Sequence, residues 1–197
     1  MKIDFHPDRP KLETRLKALA RSSDSTFKGE LFRFINPTYS KADDIISGQG
    51  AIHAEGRWNL PGDARLSYTA MATTTALFEV LAHVKYYSLP ESKALPRVLV
   101  AVKLSATRVL DLRKGEIRKT LRLSERTIRK ADWRAENRKG LEAPTQAWGW
   151  AFATVGFEAV IVPSAADPEG TNVLVFPENL LPASEWRVLT EVQYPKT

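Results

Sequence analysis

The chain has 197 residues, 43% apolar and 26% charged, with a formal net charge of +6. That is the size and balance of one folded domain with a proper core. Zero cysteines exclude disulfides, thiolate nucleophiles and zinc thiolates. No apolar run approaches the roughly 18 residues of a membrane span, and the opening MKIDFHPDRP lacks the apolar core of an export signal. A cytoplasmic protein without membrane contact is expected.

In chain order, residues 1–28 read as a polar lead-in belonging to the same unit, with one helical pattern at Leu12, Leu16 and Leu19. A strand follows at Glu30–Ile35, with Leu31, Arg33 and Ile35 on one face and Phe32 and Phe34 on the other; Asn36-Pro37 ends it. Gly48, Gly50, Gly56, Pro61 and Gly62 make residues 47–62 read as loop and turn around a short extended piece. Leu66–Thr69 reads as a strand. The stretch Thr73–Tyr87 is the best helix, striped by Leu77, Val80, Leu81 and Val84, with Thr73 to Thr75 as candidate N-caps. RVLVAVKL after Pro96 reads as a buried strand.

Charge is concentrated in the next segment. Between Arg113 and Lys139 eleven Lys/Arg face four acids, so this stretch alone accounts for the basic character of the chain. It predicts a helix after Ser124. Another helix over about Thr145–Val155 stops at Gly156, and FEAVIVPS and TNVLVF read as strands closed by Pro163-Ser164 and Pro177. Strands and helices mix without regular βαβ alternation, which predicts an α+β fold in a single domain.

Phosphate-loop, GxGxxG and GxSxG motifs are missing, and His6, His53 and His83 lack metal-ligand spacing. What stands out is a set of oddly placed polar residues. Arg33 sits within an apolar strand, and Arg57 in the Gly-flanked turn EGRWNLPG. Tyr68 is near a strand end; Glu79 lies off the apolar stripe of its helix, in line with Thr75 and His83; Ser164 closes a strand. The two arginines would suit a pyrophosphate, since a planar guanidinium grips phosphate oxygens in pairs. Taken singly, each has a plainer reading: a salt-bridged strand arginine, an i,i+4 surface pair of Glu79 with His83, a turn hydroxyl at Ser164.

Together, LFRF, GAIHAEGRWNLPG, LSYTA, ALFEVLAH and VPSAADPEGTNVLVFPENL resemble the RES domain, named for its Arg, Glu and Ser. The resemblance runs from about Gly29 to Asn179, giving a lead-in at 1–28, a RES domain at 29–181 and a C-terminal tail at 182–197. The resemblance is silent on the basic middle segment. The resemblance implies a fold similar to that of ADP-ribosyltransferases, with mixed and antiparallel sheets flanked by helices. It also implies a toxin that degrades NAD⁺ by hydrolysis or phosphorolysis and is neutralised by an Xre-type antitoxin.

Carried over by position, the implied catalytic residues are Arg57, Glu79 and Ser164, and the implied substrate-binding residues Arg33, Tyr68 and Asn172. Glu79 would stabilise an oxocarbenium-like ribose, Arg33 and Arg57 would grip the pyrophosphate, Tyr68 would pack on nicotinamide or ribose, and Ser164 would orient the ribose or the acceptor. No metal or cofactor is expected, NAD⁺ being the substrate and inorganic phosphate a possible co-substrate. A homodimer or a hetero-oligomer with the antitoxin is compatible with this reading. Two rivals stand beside it: an ADP-ribosyltransferase acting on a protein, and a nucleic-acid-binding module using residues 113–139, which has only Trp133 as an aromatic for stacking. Direct DNA binding is accordingly not expected, and an acidic antitoxin surface is an alternative use for the same charge.

Overall fold

A computed structural model of the chain describes residues 2–20 and 25–193. Parts of the lead-in (21–24) and of the expected tail (194–197) lie outside the described residues. The lead-in contains helix α1 (Arg9–Ala20), whose Leu12, Leu16 and Leu19 recur at helical spacing and are buried. They join a core cluster with Trp148, Ala151 and Phe152 of helix α8 (Pro144–Val155).

Among the described residues the sheet has six strands: β1 (Ser25–Ile35), β2 (Ser67–Ala70), β3 (Val98–Asp111), β4 (Ala159–Pro163), β5 (Thr171–Val175) and β6 (Glu185–Gln193), in the order β1-β2-β5-β4-β3-β6. All pairings are antiparallel except β3 with β4. Because β1 pairs with β3 as well as with β2, five of the strands form a closed ring. Strand β3 makes this possible by its length: one edge carries β1 from Val98 to Val109, the other carries β6 up to Ser105 and then β4 from Val109. Its Val98, Val100, Val102 and Leu104 alternate inward and pack with Leu31 and Ile35 of β1. The mixed α+β architecture is as the sequence predicts. The stretch 182–197, read as a tail, contributes β6 to the sheet.

Helix α2 (Ala42–Ile46) and the single turn α3 (Gly50–His53) follow β1. In the glycine-rich stretch, which reads as loop and turn around a short extended piece, Gly56 and Asn59 form an isolated antiparallel bridge, and Gly50–His53 adds the turn α3, where Asn59 reaches back and donates from Nδ2 to the carbonyls of Ala51 and Ala54, both at 2.8 Å. Those are carbonyls a helix end leaves unpaired. Helix α4 (Thr73–Tyr86) matches its expected span, with two corrections. Its N-cap is Ala72 and makes no side-chain bond, so none of the three threonines caps it. Its deepest residues are Thr75, Ala76 and Val84, while Leu77, Val80 and Leu81 are half-buried. The helix lies along a cleft wall, which removes part of its apolar stripe from the core.

The basic segment folds into three short helices, α5 (Gly115–Leu121), α6 (Glu125–Lys130) and α7 (Trp133–Arg138). Ser124 and Asp132 cap the last two by accepting the N–H of Thr127 and Ala135. No described helix is long and apolar enough to cross a membrane.

Gly149, in the middle of α8, is where packing overrides helix propensity. A Cβ there would sit 1.7 Å from the carbonyl oxygen of Trp58. Alanine gains about 1 kcal/mol over glycine in a helix interior, but this overlap with backbone cannot relax by a rotamer change. Gly149→Ala should lose about 3 kcal/mol or more of stability in chemical denaturation, and a variant as stable as the parent would contradict the packing described.

Candidate active site

Six side chains singled out in the sequence meet around one cleft of 470 Å³. Arg33, Arg57, Tyr68, Glu79 and Asn172 line it, and Ser164 binds Glu79 at its edge. The centre is the Glu79 carboxylate, delivered by the second turn of α4. Its Oε1 accepts from Ser164 Oγ at 2.6 Å and from Asn172 Nδ2 at 2.5 Å. Ser164 Oγ in turn accepts the N–H groups of Ala166 and Asp167, both at 3.1 Å. With two donors pointing at its oxygen, the hydroxyl has its proton directed at Glu79. Both fixed donors fall on one carboxylate oxygen; Oε2 has no donor among the described residues.

The loop after β4 that presents Ser164 is held from two sides. Thr75 Oγ1 donates to Asp167 Oδ2 at 2.7 Å, tying the loop to the first turn of α4. Gly170 permits this closeness, since a Cβ there would lie 2.5 Å from the same carboxylate oxygen. From the basic segment, Arg129 donates to the carbonyls of Ser164, Asp167 and Pro168 and pairs with Glu125 at 2.8 Å.

The arginines are anchored as well. Arg33 Nη1 donates to Ile45 O at 3.0 Å and Ser67 Oγ at 3.2 Å. It has no carboxylate partner among the described residues, and burial lowers its pKa to about 10. Arg57 Nη1 donates to Ile128 O at 3.2 Å and Ala131 O at 2.9 Å, carbonyls at the C-terminal end of α6. Burial pushes the Arg57 pKa down, the Glu79 charge opposes that, and the like charge of Arg134 adds to it. Arg57 and Glu79 thus face each other across the cleft without an ion pair inside 4 Å.

Tyr68 does more than offer a ring. Its hydroxyl accepts the Trp58 N–H at 2.9 Å and donates to Asn59 Oδ1 at 2.8 Å, clamping β2 to the turn that displays Arg57. Burial raises its pKa above the ordinary phenol value. Gly56 is required beside it, because a Cβ would fall 2.6 Å from that hydroxyl. Buried Gln146 supports the turn from α8 by donating to Gly56 O at 2.9 Å.

Several residues of this neighbourhood carry no signal in the sequence. The i,i+4 partnership of Glu79 with His83 does not form: Glu79 turns to Ser164 and Asn172, and His83 Nδ1 accepts from Arg134 Nη2 at 3.2 Å. Burial, then the charges of Arg134 and Arg97, lower the His83 pKa. Arg97, Trp133 and Arg134 also line the cleft, and no motif around them signals it. A second cavity of 550 Å³, between the N-terminal segment and α6, contains none of the six residues. Among the described residues no group of His, Asp or Glu side chains is placed to hold a metal ion.

No curated protein matches the sequence. Among solved structures, a chain of the MbcT–MbcA toxin–antitoxin complex of M. tuberculosis superposes with a TM-score of 0.74 at 22% identity, over 94% of this chain and 92% of that one. The family model described as the RES domain matches residues 30–196, from β1 through β6, and the chain therefore belongs to the RES domain family.

Proposed function

We propose that this protein is the toxin of a toxin–antitoxin pair and acts in the cytoplasm by cleaving the nicotinamide–ribose bond of NAD⁺. The observation that carries the reading is the Glu79 carboxylate, fixed through Oε1 by Ser164 and Asn172, with no donor to Oε2 among the described residues, in a cleft that arginines line. The nicotinamide of NAD⁺ is a cationic leaving group. As the C1′–N bond breaks, the electron pair goes to the ring nitrogen, neutral nicotinamide departs, and positive charge develops on C1′ and the ribose oxygen. A preorganised carboxylate lowers the energy of that charge, as in glycoside cleavage. Oε2 would accept from a ribose hydroxyl. An oxygen of water or inorganic phosphate then bonds to C1′ and loses a proton to solvent, giving ADP-ribose or its 1″-phosphate.

Ser164 and Asn172 act here through Glu79, since each holds its carboxylate in place. Arg57 balances the charge of Glu79 and, with Arg33, gives the cleft an electropositive wall. An Xre-type antitoxin is the partner proposed, in keeping with the toxin–antitoxin pairing named for the similar solved structure. A metal or organic cofactor has no step in this scheme.

Glu79→Gln keeps the shape and the acceptor oxygen but removes the charge. Nicotinamide release from NAD⁺, followed by chromatography, should fall about 10³-fold, with the melting temperature within a few degrees of the parent. A variant that retains turnover would falsify the role of the carboxylate. Ser164→Ala frees one side of Glu79 and should cost about 10- to 100-fold in kcat, with less change in KM. Running the parent reaction with and without phosphate identifies the acceptor: free ADP-ribose in both cases means water, a phosphorylated product means phosphate, and a labelled protein in extract would move the assignment to ADP-ribosyl transfer.

A further inference from the structure

The cleft is electrostatically unbalanced. Four guanidinium groups line it (Arg33, Arg57, Arg97 and Arg134) against two carboxylates, Glu55 and Glu79. None of the four arginines is in an ion pair among the described residues. A surplus of unneutralised positive charge in a concave site suits an anionic ligand.

The four differ in what their donors already do. Arg33 and Arg57 direct Nη1 at protein carbonyls. Arg134 has His83 as a lateral partner, and its Nε is buried without an acceptor. Its guanidinium is fixed by aromatic faces, with its carbon 4.1 Å from the Trp133 ring centroid and 4.6 Å from that of Tyr86. Stacking of this kind fixes the plane of the group while leaving its edge to hydrogen bonding. Arg138 Nη1 donates to the Tyr86 hydroxyl at 2.8 Å and steadies that ring. Arg97 is braced through Nε to Ala94 O at 3.0 Å.

Position relative to Glu79 selects the ligand. His83, which Arg134 touches, is four residues along α4 from Glu79 on the same face, about 6 Å along the axis. In a nicotinamide dinucleotide the nearer phosphorus is five bonds from C1′ of the nicotinamide ribose, a separation of that order. A diphosphate would therefore reach Arg134 when its ribose rests on Glu79. Resting on the NAD⁺ reading above, we propose that Arg134, assisted by Arg97, binds the diphosphate of the dinucleotide, in place of Arg33 and Arg57, to which the resemblance gives that grip and whose Nη1 groups are committed to protein oxygens; no feature of the RES resemblance assigns this role to the basic segment.

The test uses ADP as a probe of the diphosphate site and two substrates that differ in phosphate. Arg134→Gln should weaken ADP binding, measured by calorimetry, about 10- to 100-fold. It should lower kcat/KM for NAD⁺ by a similar factor, chiefly through KM, and much less for nicotinamide riboside, which carries no phosphate. Arg134→Lys should recover part of the loss, and Arg97→Gln should give a smaller loss of the same kind; the latter carries the test if Arg134→Gln proves unstable. Unchanged ADP affinity in these variants, no ADP binding by the parent protein, equal losses on both substrates, or a loss confined to the KM for inorganic phosphate would each overturn the assignment. If the parent binds ADP and Arg134→Gln does not, yet no nicotinamide is ever released, the diphosphate site stands and the cleavage reading falls.

Discussion

A carboxylate shared by three segments distant in sequence is the constraint around which this molecule is built. Glu79 comes from α4, Ser164 from the loop after β4 and Asn172 from β5, and two short hydrogen bonds hold them together. Bonds to an ionised acceptor are the stronger kind, but a single misplaced segment would leave the carboxylate with one donor or none. The surrounding structure accordingly fixes each contributor separately: Thr75 and Arg129 hold the serine loop, the β2–β5–β4 pairings fix Asn172, and Tyr68 and Gln146 hold the turn beside them.

The basic segment has its explanation in the same frame. A run of eleven Lys/Arg invites the idea of a nucleic-acid surface, yet several of these arginines face inward. Arg118 donates to the carbonyls of Leu112 and Arg113, Arg129 to three carbonyls of the serine loop, and Arg134 sits among aromatic rings at the cleft. Connecting loops leave backbone carbonyls without a helix or sheet partner, and a guanidinium can satisfy two at once. Part of the charge excess is thus a product of how three small helices are joined to the sheet.

The sequence made the long periodic elements legible. The apolar alternation of β3, the Leu12–Leu16–Leu19 stripe of α1 and the Gly156 stop of α8 are local patterns, and each element formed where its pattern lay. Glu79 and Ser164 were legible through their resemblance to a family, since neither is distinctive alone. Features that depend on distant partners were hidden. The α3 turn needs Asn59 to satisfy its carbonyls; the burial pattern of α4 reflects a cleft wall that no local window reveals; His83 follows Arg134, 51 residues away, and abandons Glu79. Strand β6, read as a tail, is visible only once the long β3 supplies an edge for it.

The closed ring of strands has a consequence for how the site comes into being. Glu79 is synthesised before both of its donors, which follow by more than eighty residues, and β4 and β5, which carry or flank them, are the staves that complete the hoop. A nascent chain that stops at residue 163 has the carboxylate with nothing to orient it and a β2 without its β5 neighbour. Whatever chemistry the folded protein performs, translation must run past Asn172 before the first competent molecule exists.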